Sequence, residues 1–142
     1  MRVSFLKTGL IATIFFAQLV ASTLVGWTQT PQSLQNRIPK PDPKKYHAVQ
    51  DAKDWKNPYL IVRCDGIEIV GMTPVGQAIP ADSVPGVLKG LPDSAWPYGL
   101  IVAVQDIGVV SDGDLPRIEA NRQRLLKLLK KLAVTVDFWP SA

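Results

Sequence analysis

The clearest alternation of apolar and polar positions begins at Tyr59. Leu60-Ile-Val-Arg-Cys64 and Ile67-Glu-Ile-Val-Gly71 are short apolar runs on either side of Asp65-Gly66, a pair suited to the positive φ angles of a tight hairpin turn. With Asp65-Gly66 as a two-residue loop, Cys64 pairs with Ile67, Arg63 with Glu68 and Val62 with Ile69. Leu60, Val62, Cys64, Ile67 and Ile69 then share a core face, and Arg63 meets Glu68 as an opposite-charge pair on the other. Met72 to Pro80 contains Pro74, Gly76 and Pro80 and reads as a loop or a frayed edge strand. Asp82 or Ser83 then caps a short helix with Pro85 in its first turn, stopped at Gly90. After a connection anchored by Trp96, Leu100-Ile-Val-Ala-Val104 is apolar without alternation, as a central strand covered on both faces requires. Ile107 to Val110 either continues that strand or turns back beside it.

Asp112-Gly113-Asp114 closes this stretch, and Pro116 opens the longest amphipathic segment, running to Leu132. At about 100° per residue, Ile118, Leu125, Leu129 and Leu132 fall in one narrow stripe, with Leu115, Leu126 and Leu128 at its margins. Asn121 and Arg122 intrude on that stripe, whereas Arg117, Arg124, Lys127, Lys130 and Lys131 form a basic outer surface. Alternation in Val134-Thr-Val-Asp-Phe138 predicts a last strand ending at Trp139-Pro140. The order β-hairpin, short helix, strand, long helix, C-terminal strand predicts an α+β fold, a small two-layer sandwich over residues 59–142 with its helices on one face.

The N-terminal pattern differs in kind. Arg2 and Lys7 precede a run free of charge from Thr8 through Asn36, whose apolar core Gly9 to Ala21 has the length of a signal-peptide h-region, with small residues for cleavage after Ser22. The alternative is an uncleaved anchor over Gly9 to Trp27, nearly long enough to cross a ~30 Å hydrocarbon core. Either way the two cations stay inside and the rest of the chain lies outside the cytoplasm, periplasmic or secreted. Residues 23–58 read as a Pro-rich basic linker, with Pro39, Pro41 and Pro43 alternating with Lys40, Asp42 and Lys44. Within it, Tyr46 to Lys56 can form one short helical turn that docks Trp55 on the domain.

Composition narrows the chemistry. In 142 residues there are one cysteine, Cys64, and one histidine, His47, so no internal disulfide forms and neither a zinc set nor a Ser-His or Cys-His nucleophile is available near the fold. Cys64 is expected as a buried apolar residue inside a strand, the alternative being an intermolecular disulfide or a reactive thiol. No phosphate-cradling loop or dinucleotide fingerprint is present, and no cofactor or metal is expected. Asp106, Asp112 and Asp114 lie at the C-terminal side of the buried strand, where ligand-bearing loops often sit, and can serve binding or acid/base work, or simply turn and capping chemistry. Arg122, turned toward the sheet, needs a partner, and Asp106 is the candidate; with Asn121 these residues form the candidate binding set.

Charge is divided within the domain. Residues 59–116 carry two cations and seven acids, whereas residues 117–131 carry six cations and one acid. A basic helix beside an acidic sheet is most commonly a solvated helix face; as a contact surface it suggests phospholipid head groups or an acidic partner, and the partner expected is an envelope protein or an anionic membrane surface. Nucleic acid fits poorly, because from Tyr59 onward eight cations face nine acids.

The stretch LIVRCDGIEIVG, followed by a short helix, an apolar strand, a long helix and VTVDFW, resembles in element order the periplasmic domain of the ExbD/TolR family, from about Tyr59 to Trp139. The resemblance implies an exported, membrane-proximal α+β domain that makes protein contacts. Members of that family carry an aspartate in their transmembrane helix; the apolar segment here holds no acid, so proton-driven work is not implied. The expectation is a non-enzymatic binding or assembly domain of the cell envelope, with a small carboxylate-dependent hydrolase or lyase at Asp106 to Asp114 as the alternative.

Overall fold

The computed structural model describes residues 33–108 and 111–141. The signal or anchor segment, linker residues 23–32 and the pair Val109-Val110 lie outside the described residues. Strands β1 (Tyr59–Arg63), β2 (Gly66–Ile69), β3 (Ile101–Asp106) and β4 (Thr135–Trp139) form one mixed sheet in the order β2-β1-β3-β4. The β1–β2 pair is antiparallel, and β3 runs parallel to both β1 and β4. Helices α1 (Leu34–Arg37), α2 (Pro43–Tyr46), α3 (Val84–Gly90) and α4 (Leu115–Lys131) complete an α+β domain. No described helix is long and apolar enough to cross a membrane.

Strand β3 takes the central place because Ile101, Val102, Ala103 and Val104 are apolar on both faces, and all four are buried. On one face, Leu60, Val62, Ile67, Ile69, Val102 and Val104 pack beneath α3 and α4. Ile118, Leu125 and Leu129 supply the buried stripe of α4, at the spacing that its apolar period demands.

The opposite face is covered as well, and by the segment expected to be a tether. Trp55 and Tyr98, with Tyr46 and Val49, pack over Tyr59, Ile101 and Ala103. Leu34 and Ile38 join the helix-side core. The spacer expectation is therefore corrected for residues 33–58: this segment is a strap belonging to the domain. Its few apolar residues are spaced to reach both faces, while the prolines keep the chain between them extended. Two backbone bonds hold it at its crossing, from Leu100 N to Pro39 O (2.8 Å) and from Asp42 N to Tyr98 O (3.0 Å). Gly99 makes that crossing possible: its φ is +87°, and a Cβ there would sit well inside 3.0 Å of the Lys40 carbonyl.

The hairpin also differs from expectation. The turn is Cys64-Asp65, and the register pairs Arg63 with Gly66, Val62 with Ile67 and Leu60 with Ile69. Gly66, at φ +143°, lies under the Ile79 carbonyl, where a Cβ would collide with backbone, and this approach lets Ile79 bridge to Ile67. The register moves by two residues, so the same side chains still face the core. Cys64 consequently sits in the turn, half-buried, rather than inside a strand. Arg63 still reaches Glu68, now diagonally, with Nη1 to Oε2 at 3.2 Å. No side chain caps α3; Asp82 turns instead to α4.

Candidate functional site

The C-terminal end of β3 and the start of α4 enclose an open cleft of about 550 Å³ lined by Asp106, Asp112, Ile118, Glu119 and Arg122, among others. Its position follows from the fold: β3 ends at Asp106, and the first two turns of α4 lie beside it. Arg122 projects from the packed side of the helix one turn beyond Ile118. Its guanidinium escapes burial by reaching Asp106 through Nη1 and Glu119 through Nη2. The side chains of Arg122 and Asp106 are 34% and 27% exposed, so the pair is partly solvated rather than sealed in the core. The remaining Asp106 oxygen, Oδ1, is buried and has no hydrogen-bond partner among the described residues.

The other expected site residues divide. Asp112 lines the cleft, whereas Asp114 turns away to accept from Ser111 Oγ (2.8 Å) and to pair with Arg117. Those contacts, the Ser111 hydroxyl foremost, hold the Asp114 carboxyl below the usual carboxylate range. Asn121 does not face the cleft: its Nδ2 donates to Arg63 O (2.8 Å) and Cys64 O (3.3 Å), tying α4 to the hairpin turn. Among the described residues, no three histidine, cysteine or acidic side chains gather as a cation-binding set. The expected convergence of three aspartates is thus corrected to Asp106 and Asp112 with Glu119, whose i,i+3 spacing to Arg122 was the sequence signal for its part.

The basic surface is also reduced. Arg124 makes a bidentate pair with Asp82, with Nη2 to Oδ2 at 2.7 Å, and these bonds hold the Asp82 carboxyl below its ordinary range. Arg117 is engaged by Asp114. Lys127, Lys130 and Lys131 are exposed.

Two features were not anticipated. Asn57 is buried beside β3, where Nδ2 donates to Gly99 O and Ile101 O (both 2.8 Å) and Oδ1 accepts from Tyr98 N (3.0 Å). At the other side of the sheet, β4 has no strand neighbour on its outer edge among the described residues, and Phe138 on it is 61% exposed. The fold and these sites define a small α+β domain with a strapped sheet, an arginine-braced cleft and, among the described residues, an unpaired outer edge at β4. Comparison with protein-family models, curated proteins and solved structures finds no match to the chain.

Proposed function

We propose that this chain is an exported, non-enzymatic domain of the cell envelope that works by binding or assembly, as its resemblance to the periplasmic ExbD/TolR domain implies. The observation that carries the reading is the open outer edge of β4 with the exposed Phe138, because a sheet edge left unpaired is a template for another chain. The cleft supports the same side of the choice. Two of its carboxylates serve as braces, because Asp106 and Glu119 are taken up by Arg122, which leaves Asp112 as the cleft carboxylate outside that network. A protein partner is preferred to a membrane surface because Arg117 and Arg124 are neutralised within the domain, which reduces the exposed basic surface to Lys127, Lys130 and Lys131. Export rests on Arg2 and Lys7 before the charge-free run.

The test is fractionation of the tagged full chain with intact-mass analysis, combined with photocrosslinking from position 138 in the cell. The expected product starts near Thr23, lies outside the cytoplasm and crosslinks to an envelope protein. A membrane-bound exported product retaining residues 1–22 selects the anchor form. A cytoplasmic product retaining them overturns the export reading.

A further inference from the structure

We infer that the outer edge of β4 accepts an extended segment of a partner protein as a fifth strand, and that this segment carries a lysine or arginine opposite Asp137 between two apolar residues. The inference deepens the assembly reading and rests on it. Thr135 N donates to Leu100 O at 3.0 Å, so in this parallel ladder Thr135, Asp137 and Trp139 direct their backbone groups inward to β3. Val136 and Phe138 therefore direct theirs outward. Their side chains lie on the helix side of the sheet, where Phe138 is left 61% exposed. Asp137 stands between them on the other face, its Oδ2 taken by Trp139 Nε1 at 3.1 Å.

These positions discriminate among occupants. A second copy pairing antiparallel about a two-fold axis engages both outward residues reciprocally in only one register, Val136 against Phe138, and that register sets Asp137 directly against Asp137. Opposed like charges destabilise a strand pair, and a charge on an edge is a common guard against self-pairing. Sliding by two residues in one direction meets Pro140, which lacks an N–H, and in the other meets Val134, whose N–H is already bound to Leu129 O at 3.0 Å. A foreign strand with a cation at the central position converts the same carboxylate from a guard into a selector, and its flanking apolar residues cover Phe138 and Val136.

The probe is the capped peptide Thr-Val-Lys-Val-Thr, which reads the same in both directions and so suits either strand polarity. It is titrated against the full isotope-labelled chain, in mild detergent, with amide chemical shifts as the readout. Saturable shifts centred on Val136 and Phe138 are expected, with affinity falling about tenfold when the peptide lysine becomes glutamate. Phe138→Pro removes an outward N–H together with the exposed aromatic side chain that the peptide would cover, a change edge strands tolerate, and should abolish binding with the other amide shifts in place. Should that variant unfold, Asp137→Lys gives the decision, because it should reverse the preference toward the glutamate peptide. Absence of saturable shifts, or equal affinity for both peptides with either residue at 137, overturns the inference. So does concentration-dependent self-association through this edge, which would make a second copy the occupant. Indifference to peptide charge leaves export untouched, and cytoplasmic retention leaves the edge chemistry untouched, so the two failures are distinct.

Discussion

Removing the Asn57 side chain should cost more than any change on the outer surface of α4, and the reason lies in a gap in the sheet. Ala103 N donates to Pro58 O at 3.1 Å, which fixes the phase of the β1–β3 ladder: one step earlier, Ile101 O should receive the N–H of residue 58. Residue 58 is proline and has none to give. Asn57 Nδ2 fills that vacancy and also reaches Gly99 O, while Oδ1 satisfies Tyr98 N. In Asn57→Ala, Gly99 O keeps a donor from Ile101 N at 2.8 Å, but Ile101 O and Tyr98 N lose their partners in a buried place. Two orphaned groups at roughly 1 to 3 kcal/mol each give a loss of about 2 to 6 kcal/mol, and a fall in Tm of roughly 8 to 25 °C for a domain of this size. Asn57→Asp separates hydrogen bonding from packing, because it keeps an acceptor for Tyr98 N and sets a carboxylate against two carbonyls. That carboxyl is held above its unfolded value of about 3.9, so the folded state binds more protons than the unfolded one between the two values. Stability of this variant should therefore rise as pH falls through the raised native value, with the gain complete below about 3.9. Thermal melts from pH 7 to pH 4, expressed relative to the parent chain, provide the assay. A Tm change below about 3 °C for Asn57→Ala, or a relative stability of Asn57→Asp that does not change with pH, refutes the ladder-completing role.

Gly99→Ala forces a Cβ into the Pro39-Lys40 backbone at a positive φ and should cost about 2 to 4 kcal/mol while speeding tryptic cleavage after Lys44 and Lys45; unchanged cleavage would mean that the strap is not held there. Arg122→Leu and Asp106→Ala, singly and combined, should show a coupling of about 0.5 to 1.5 kcal/mol in denaturant melts, with strict additivity refuting a working contact. Asp82, held down by its bonds to Arg124, should titrate below 3.8 by carbon-detected NMR and move up in Arg124→Gln. Because its folded value is depressed, the stability that it contributes is present above the unfolded value and is lost as pH falls through the folded one, so Asp82→Asn should lessen the acid-side loss.

What could be read in advance was what obeys a period. The α4 stripe of Ile118, Leu125 and Leu129 follows from helical spacing, and the burial of β3 from its unbroken apolar run. The contact of Arg122 with Asp106 follows from the helix angle plus the cost of an unpaired guanidinium. The hairpin turn was misplaced because Asp65-Gly66 carries the local signature of a tight turn, whereas Gly66 is required by the close passage of Ile79, a contact between residues far apart in sequence. The strap was misread for a related reason. Leu34 and Ile38 are too sparse to make a periodic signal among the prolines and lysines, and their burial is decided by the core they join, whereas the docking of Trp55 after a short helical turn agrees with the sequence expectation. Alternation correctly placed the last strand, yet it groups Phe138 with the buried Val134 and cannot tell that α4 covers one and not the other.

The charge division between the acidic first part of the domain and its basic helix now has an internal account. Arg124 joins α4 to the turn before α3 through Asp82, and Arg122 joins it to β3 through Asp106. Asn121 ties the same helix to the hairpin turn, so three of its polar residues each fasten a different part of the fold. An acidic sheet and a basic helix are what such cross-links require, whether or not any partner exists. Each exposed pair adds little stability, but together they restrict how the helix can rotate over an apolar sheet surface that by itself fixes orientation weakly. The sequence feature that first suggested a charged docking face is thereby partly taken up in orienting α4, with Lys127, Lys130 and Lys131 left exposed. Among the described residues, the polar groups still directed outward in a regular row are the backbone amides and carbonyls of Val136 and Phe138, at the edge that neither the described helices nor the strap pairs.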